Sequence, residues 1–205
     1  MKLGLNDSLK WSLFISVVTL ILSIIFTVVS TSILAGVSWA IGMIVVFIII
    51  IIGVFFDMLG LAAASANEKP FHSMASERLN GAKQAIKIVR NADKFSNFCN
   101  DVIGDISGIV SGTATAIVVI QLVYSFGETE NSNLYTILSV LFTSIVAALT
   151  VGGKAVGKTI AINNSTKIIL YVGKFFSFLE KNFNMTIYNG NKKMKRKAGG
   201  KNGAK

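Results

Sequence analysis

Three features of this 205-residue chain predict an all-α, polytopic membrane protein with four transmembrane helices and cytoplasmic amphipathic helices. First, four apolar runs occupy residues 11–35, 37–56, 106–126 and 134–151, each close to the ~20 residues a helix needs to cross a ~30 Å hydrocarbon core. Second, every Lys and Arg lies before, between or after these runs, and always on the same implied side. Lys2 and Lys10 precede the first run, Lys69 to Lys94 fill the segment between the second and third, and the rest follow from Lys154 onward. Third, the two connections on the other side, near Gly36 and at 127–133, hold no basic residue, and the second carries Glu128 and Glu130. Positive charge is retained on the cytoplasmic side, so both termini and the middle segment read as cytoplasmic in a multi-pass protein of the plasma membrane.

Composition narrows the class further. The chain is 52% hydrophobic, and four uninterrupted spans are more than a soluble core of this size needs. Its net charge of +10 raises nucleic acid as a partner, but cytoplasmic flanks of spans carry such charge to meet anionic lipid headgroups. The expected partners are therefore the lipid bilayer and its anionic headgroups, with no nucleic acid. Cys99 is the only cysteine and His72 the only histidine, so no internal disulfide forms and no Cys/His metal site or cofactor is expected.

The elements follow in order. The first run, with residues 1–36 forming an N-terminal unit, is read as an uncleaved span; the alternative is a signal peptide with only Ser30-Thr31-Ser32 as a weak cleavage cue. The second run is almost featureless through Ile52, breaks its apolar pattern at Gly53 and Asp57, and passes into small residues from Gly60 to Ala66. Small residues let helix backbones approach closely where no water drives apolar association. Pro70 ends that helix or starts the next. Residues 73–90 carry Met74, Leu79, Ala82, Ile86 and Val89 at helical spacing opposite Lys83, Lys87 and Arg90, which predicts one amphipathic helix with Ser73 as N-cap.

Before the third run, Asp101 and Asp105 stand four residues apart on one helical face. Gly104, Gly108 and Gly112 form a doubled small-xxx-small pattern, which predicts close helix packing within the chain or across a homodimer. No span shows a long polar stripe, which disfavours a pore. After the fourth run, residues 166–183 place Ile168, Ile169, Val172, Phe175, Phe176, Leu179 and Phe183 on one face and Lys167, Lys174 and Lys181 on the other. That face suits either the cytoplasmic membrane interface or packing on protein. The Gly-, Lys- and Asn-rich segment 184–205 is expected to be a disordered basic tail.

Residues 152–159 spell Gly, four residues, then Gly-Lys-Thr, as in a phosphate-binding loop. That loop needs a strand before it and a helix after it, so that free backbone N–H groups cradle phosphate. A membrane span precedes it here, so a nucleotide hydrolase is rejected. His72 stands alone in sequence, with no partner set for general-base work, and no enzyme activity is expected.

The order of the pieces over roughly 40–183 resembles the transmembrane domain of the cyclin M and CorB/CorC magnesium transporters. Phe55-Phe56-Asp57-Met58-Leu59-Gly60-Leu61-Ala62 resembles the family's Phe-Phe-Ser-x-x-Glu-Thr-Ala segment. Gly81-Ala82-Lys83 and Asn91-Ala92-Asp93-Lys94-Phe95 resemble its connecting helices, and Gly104-Asp105 falls where Gly-Asn is frequent. Gly153-Lys154-Ala155-Val156-Gly157-Lys158-Thr159-Ile160-Ala161 resembles its Gly-Glu-x-x-Pro-Lys-Thr-x-Ala signature. The resemblance implies a dimeric domain over 37–183 with three spans, to which the first run is an addition.

It also implies that the positions of the family's cation site are Gly53, Asp57, Asp105 and Lys154, with Asp105 reached by a one-residue shift. A hard divalent cation takes oxygen ligands, and Lys154 places an ammonium where the family has a carboxylate. Lys154 is therefore expected to occupy the ion's place, paired with Asp57, Asp105 or both, because charges inside a membrane find partners; the alternative is that it snorkels to the cytoplasmic surface. The chain ends where the family continues into paired CBS domains, so regulation by Mg-ATP through them is not expected of this polypeptide. The function implied is a divalent-cation transporter domain with altered or lost ion binding; the alternative is a non-transporting membrane scaffold or regulatory partner.

Overall fold

The computed structural model describes residues 5–183, and among them the chain is helical without a strand. The expected tail, 184–205, lies outside the described residues. Four helical stretches are long and apolar enough to cross a membrane: Ser12–Ala35, Trp39–Ser65, Ala92–Ser125 and Asn133–Asn163. The described residues fall into two compact units, one from 5–66 and 92–165, the other from 67–91 and 166–183.

In the first unit, α1 (Leu5–Ala35) and α2 (Trp39–Ser65) are joined by Gly36–Ser38. A short helix, α5 (Ala92–Asn97), runs through a π-helical turn (Phe98–Gly104) into α6 (Asp105–Ser125). Gly127, at φ 77°, turns the chain after α6, a conformation open to glycine at little cost. Ser132 then starts α7 (Asn133–Asn163), its hydroxyl accepting from the Tyr135 N–H at 3.2 Å. Both α2 and α7 run past the apolar stretches that announce them, α7 by twelve residues beyond Val151, because helix hydrogen bonding continues wherever propensity allows.

The packing seam of α2 is Gly42, Val46, Ile50, Gly53, Asp57 and Gly60, all buried and spaced by three and four. That is the spacing of residues on one helix face. The run is apolar all round, so hydrophobic periodicity carries no signal there; the small and polar residues mark the face instead. Gly42 lies against Val118 and Leu34, Gly53 against Ser107, and Gly60 against Asn100. On the other side, Val54 and Met58 rest on Gly153 and Gly157 of α7. A core of Leu34, Val46, Ile50, Ala114, Val118 and Val146 ties α1, α2, α6 and α7 together. The α1 end is also fastened to α6, where Gln121 Nε2 donates to the Leu34 carbonyl at 2.7 Å.

Within a single copy of the chain the three glycines of the repeat differ. Gly104 is buried near Asp57 and Lys154, but a side chain at Gly108 or Gly112 would meet nothing within 4 Å. The buried face of α6 instead runs through Ser107, Val110, Ser111, Ala114, Thr115 and Val118. Ser107, Ser111 and Thr115 form a short row of hydroxyls at one-turn spacing on that packed face. Their hydroxyls donate back to the carbonyls of Ile103, Gly108 and Ser111, so none of these three donors is left unpaired among apolar neighbours.

In the second unit, the single amphipathic helix expected over 73–90 is two helices, α3 (Lys69–Ser76) and α4 (Ala82–Arg90). Pro70 sits in the first turn of α3, where its missing N–H costs nothing, and Ser73 lies inside that helix rather than capping it. Arg78 at φ 60° and Gly81 at φ 86° break the chain between them; apolar spacing alone does not register two residues of left-handed backbone. Glu68 joins the two helices, accepting from His72 Nε2 at 2.7 Å and from Arg90 Nε at 2.6 Å. Those two hydrogen bonds, His72 first, hold the Glu68 carboxyl below its ordinary 4.5. His72 is therefore partnered, not alone, and the i, i+4 spacing from Glu68 is the signal that was present for it.

The last helix, α8 (Ser165–Phe183), packs one edge on this unit. Gly173 meets the Gly81 carbonyl and Ala85. Ser177 donates to Asn80 at 2.8 Å, and Glu180 takes Gln84 at 2.8 Å and Lys87 at 3.6 Å. Ile169 on the same edge is fully buried.

Candidate functional site

The four positions singled out by resemblance lie in the first unit, and three of them carry charge. Asp57 comes from the α2 seam, Asp105 from the first residue of α6 and Lys154 from the C-terminal half of α7. Lys154 Nζ is 3.5 Å from Asp105 Oδ1, 3.9 Å from Asp57 Oδ1 and 3.5 Å from the Gly104 carbonyl. The Lys154 side chain is 20% exposed, so it folds inward rather than reaching out. The Asp57 side chain is only 8% exposed and Asp105 66%, so one carboxylate is inside the bundle and the other at its edge. Asp101 is exposed, and Lys154 pairs with Asp105 instead.

These distances are longer than the 2.7–2.9 Å of a charge-assisted hydrogen bond. The ammonium is held by the summed field of two carboxylates and a carbonyl rather than by one tight contact. Gly53 carries no side chain into the cluster; it lets Ser107 approach, since an added Cβ would stand 2.8 Å from Ser107 Cβ.

The local backbone explains the geometry. The π-turn over Phe98–Gly104 carries Asn100 onto the backbone of Gly60 and sets Gly104 beside Asp57, where a Cβ would be 3.7 Å from both Asp57 Oδ1 and Lys154 Nζ. Only a residue without a side chain at Gly60 allows the Asn100 amide so close. Two acceptors are buried here without donors, Asp57 Oδ2 and Asn100 Oδ1. The cluster is therefore rich in acceptors, and the Lys154 ammonium supplies its positive charge. Asn100 and Ser107 belong to this site and were not singled out from sequence; Gly60, read there as the start of a closely packing small-residue stretch, joins them through its contact with Asn100. The polar residues of 96–107 were the available signal, but a π-turn changes which of them share a face.

Among the described residues, no group of three or more His, Cys, Asp and Glu side chains could hold a metal ion. The donor set here is two carboxylates with an ammonium between them, and a divalent cation would have to displace that ammonium. Beside the cluster, Phe26, Ser30, Ile49, Ile106 and Ser107 line a mainly apolar cavity of about 130 Å³. Residues 152–159, the phosphate-loop spelling, are all inside α7, where the backbone N–H groups are spent on helical hydrogen bonds. The chain matches no protein-family model, no curated protein and no solved structure.

Proposed function

We propose that this chain is a multi-pass membrane protein built on the plan of the cyclin M and CorB/CorC transmembrane domain, with its cation position taken by the Lys154 ammonium. In this reading it does not carry magnesium, and it serves in the plasma membrane as a scaffold or regulatory partner, with both termini cytoplasmic and a second copy as its dimer partner. The observation that carries the proposal is the seating of Lys154 Nζ between Asp57, Asp105 and the Gly104 carbonyl. A buried carboxylate such as Asp57 that faces a fixed ammonium needs no external ion to balance it, and the same ammonium repels a divalent cation.

The test is a flux assay in proteoliposomes with magnesium, sodium and protons. The wild-type chain should move no magnesium, and Lys154→Glu, which completes an all-oxygen donor set, should gain magnesium-dependent thermal stabilisation. Magnesium uptake by the wild type would overturn the proposal. Topology is checked separately in a Cys99→Ser background. Single cysteines introduced at positions 83 and 131 should be labelled by a membrane-impermeant maleimide from opposite sides of the bilayer.

A further inference from the structure

The α8 helix has a second face that its packing leaves open. Gly173, Ser177 and Glu180 are spent on contacts within the second unit, Ile169 on the same edge is fully buried, and Glu180, the only acid in α8, is already partnered there. Around the helix from them, Tyr171 is 70% exposed and Phe175 and Phe178 are each 59% exposed. These three rings recur at four and three residues and so form one stripe. Lys167, Lys174 and Lys181, all exposed, run beside it at intervals of seven. Lys174 Nζ stands 5.2 Å from the centre of the Tyr171 ring, so charge and ring are presented together.

We infer that the Tyr171–Phe175–Phe178 face of α8, with its row of three lysines, is a docking surface for an anionic lipid bilayer. The charge on the open side is of one sign, because the sole acid is on the packed edge. Aromatic rings settle at headgroup depth, and lysines beside them meet the negative surface of the cytoplasmic leaflet. A second copy seated on this face by a two-fold axis would bring two identical lysine rows together. The order of the chain agrees: α7, a helix apolar enough to cross a bilayer, ends at Asn163, and α8 starts two residues later at Ser165.

The experiment uses the full chain with Phe178→Trp as reporter and Trp11→Phe and Trp39→Phe to remove other signals. It is reconstituted into vesicles of pure phosphatidylcholine and of a phosphatidylcholine–phosphatidylglycerol mixture. The reporter indole should be quenched by acyl-brominated lipid and shielded from acrylamide, more strongly in the mixed vesicles. Each lysine changed to Gln should weaken the seated state roughly fivefold. Raising salt from about 0.1 to about 0.5 M should remove the phosphatidylglycerol-dependent part without any lysine substitution.

Equal acrylamide access in both vesicles, salt-insensitive shielding, or shielding that grows with protein-to-lipid ratio would overturn the inference, the last by assigning the face to a second copy. The inference rests on α7 entering the bilayer, and the two can fail separately. A chain stripped from vesicles by alkaline carbonate refutes membrane spanning; a chain that resists extraction while the reporter indole faces water refutes only the α8 surface.

Discussion

Lys154→Met removes the ammonium while keeping most of the side-chain volume, and it isolates what the charge cluster contributes. At an effective dielectric constant of about 20, unit charges 3.5 to 3.9 Å apart attract by about 4 to 5 kcal/mol before solvent screening. Asp105, at 66% exposure, keeps little of that, about 1 kcal/mol or less. Asp57 is the partner that matters, because its side chain is 8% exposed and its second oxygen already lacks a donor. Leaving that carboxylate buried and unpaired should cost about 3 kcal/mol, the low end for a broken buried pair, because Lys154 itself is one-fifth exposed.

Asp57→Asn should cost less, about 1–2 kcal/mol, since Lys154 keeps Asp105 and the Gly104 carbonyl. The double variant should recover much of the loss, with a coupling of about 2 kcal/mol. The assay is equilibrium unfolding by dodecyl sulfate titration in mild-detergent micelles, followed by circular dichroism. A Lys154→Met variant within about 0.5 kcal/mol of wild type, or an Asp105→Asn variant that costs as much as it does, would refute the reasoning.

Further outcomes are expected from the same geometry. Gly60→Ala should destabilise by about 1–3 kcal/mol through its clash with Asn100, whereas Gly108→Ala, in open space, should be neutral or stabilising by a few tenths in the same micelle titration. Gln121→Leu, which strips the donor from the Leu34 carbonyl, should lower stability by about 1 kcal/mol and raise hydrogen exchange at the α1 C-terminus. The Glu68 link between α3 and α4 should be present above pH 4.5 and lost as pH falls through the lower value held by His72 and Arg90, so amide exchange in 69–90 should rise on acidification below pH 4.5. Glu68→Gln should show that faster exchange already at neutral pH and lose its pH dependence there.

Some of this was legible before any tertiary contact was known. Long apolar runs announced α1, α2, α6 and α7, because hydrophobic length is a local property of the chain. Lys154, Asp57 and Asp105 stood out because a charge within or beside an apolar run is costly and therefore has a partner to be sought. Other features depended on backbone conformation that residue spacing does not report. The break between α3 and α4 rests on two left-handed residues, and the placing of Asn100 rests on a π-turn. The same is true of the glycines: 104, 108 and 112 make the more conspicuous repeat, yet within the chain only 104 of these has close neighbours, and 42, 53 and 60 also lie at helix crossings.

By itself, then, the sequence determined how many apolar helices there are, where most of them lie and which charges are out of place among them. Those follow from the solvation of each segment alone. Only the tertiary structure decided which oxygen atoms surround the Lys154 ammonium, which glycines admit a neighbouring backbone, and which edge of α8 is left open. Each of these is set by the rotation of one helix against another, and a shift of one residue in a turn is enough to change it.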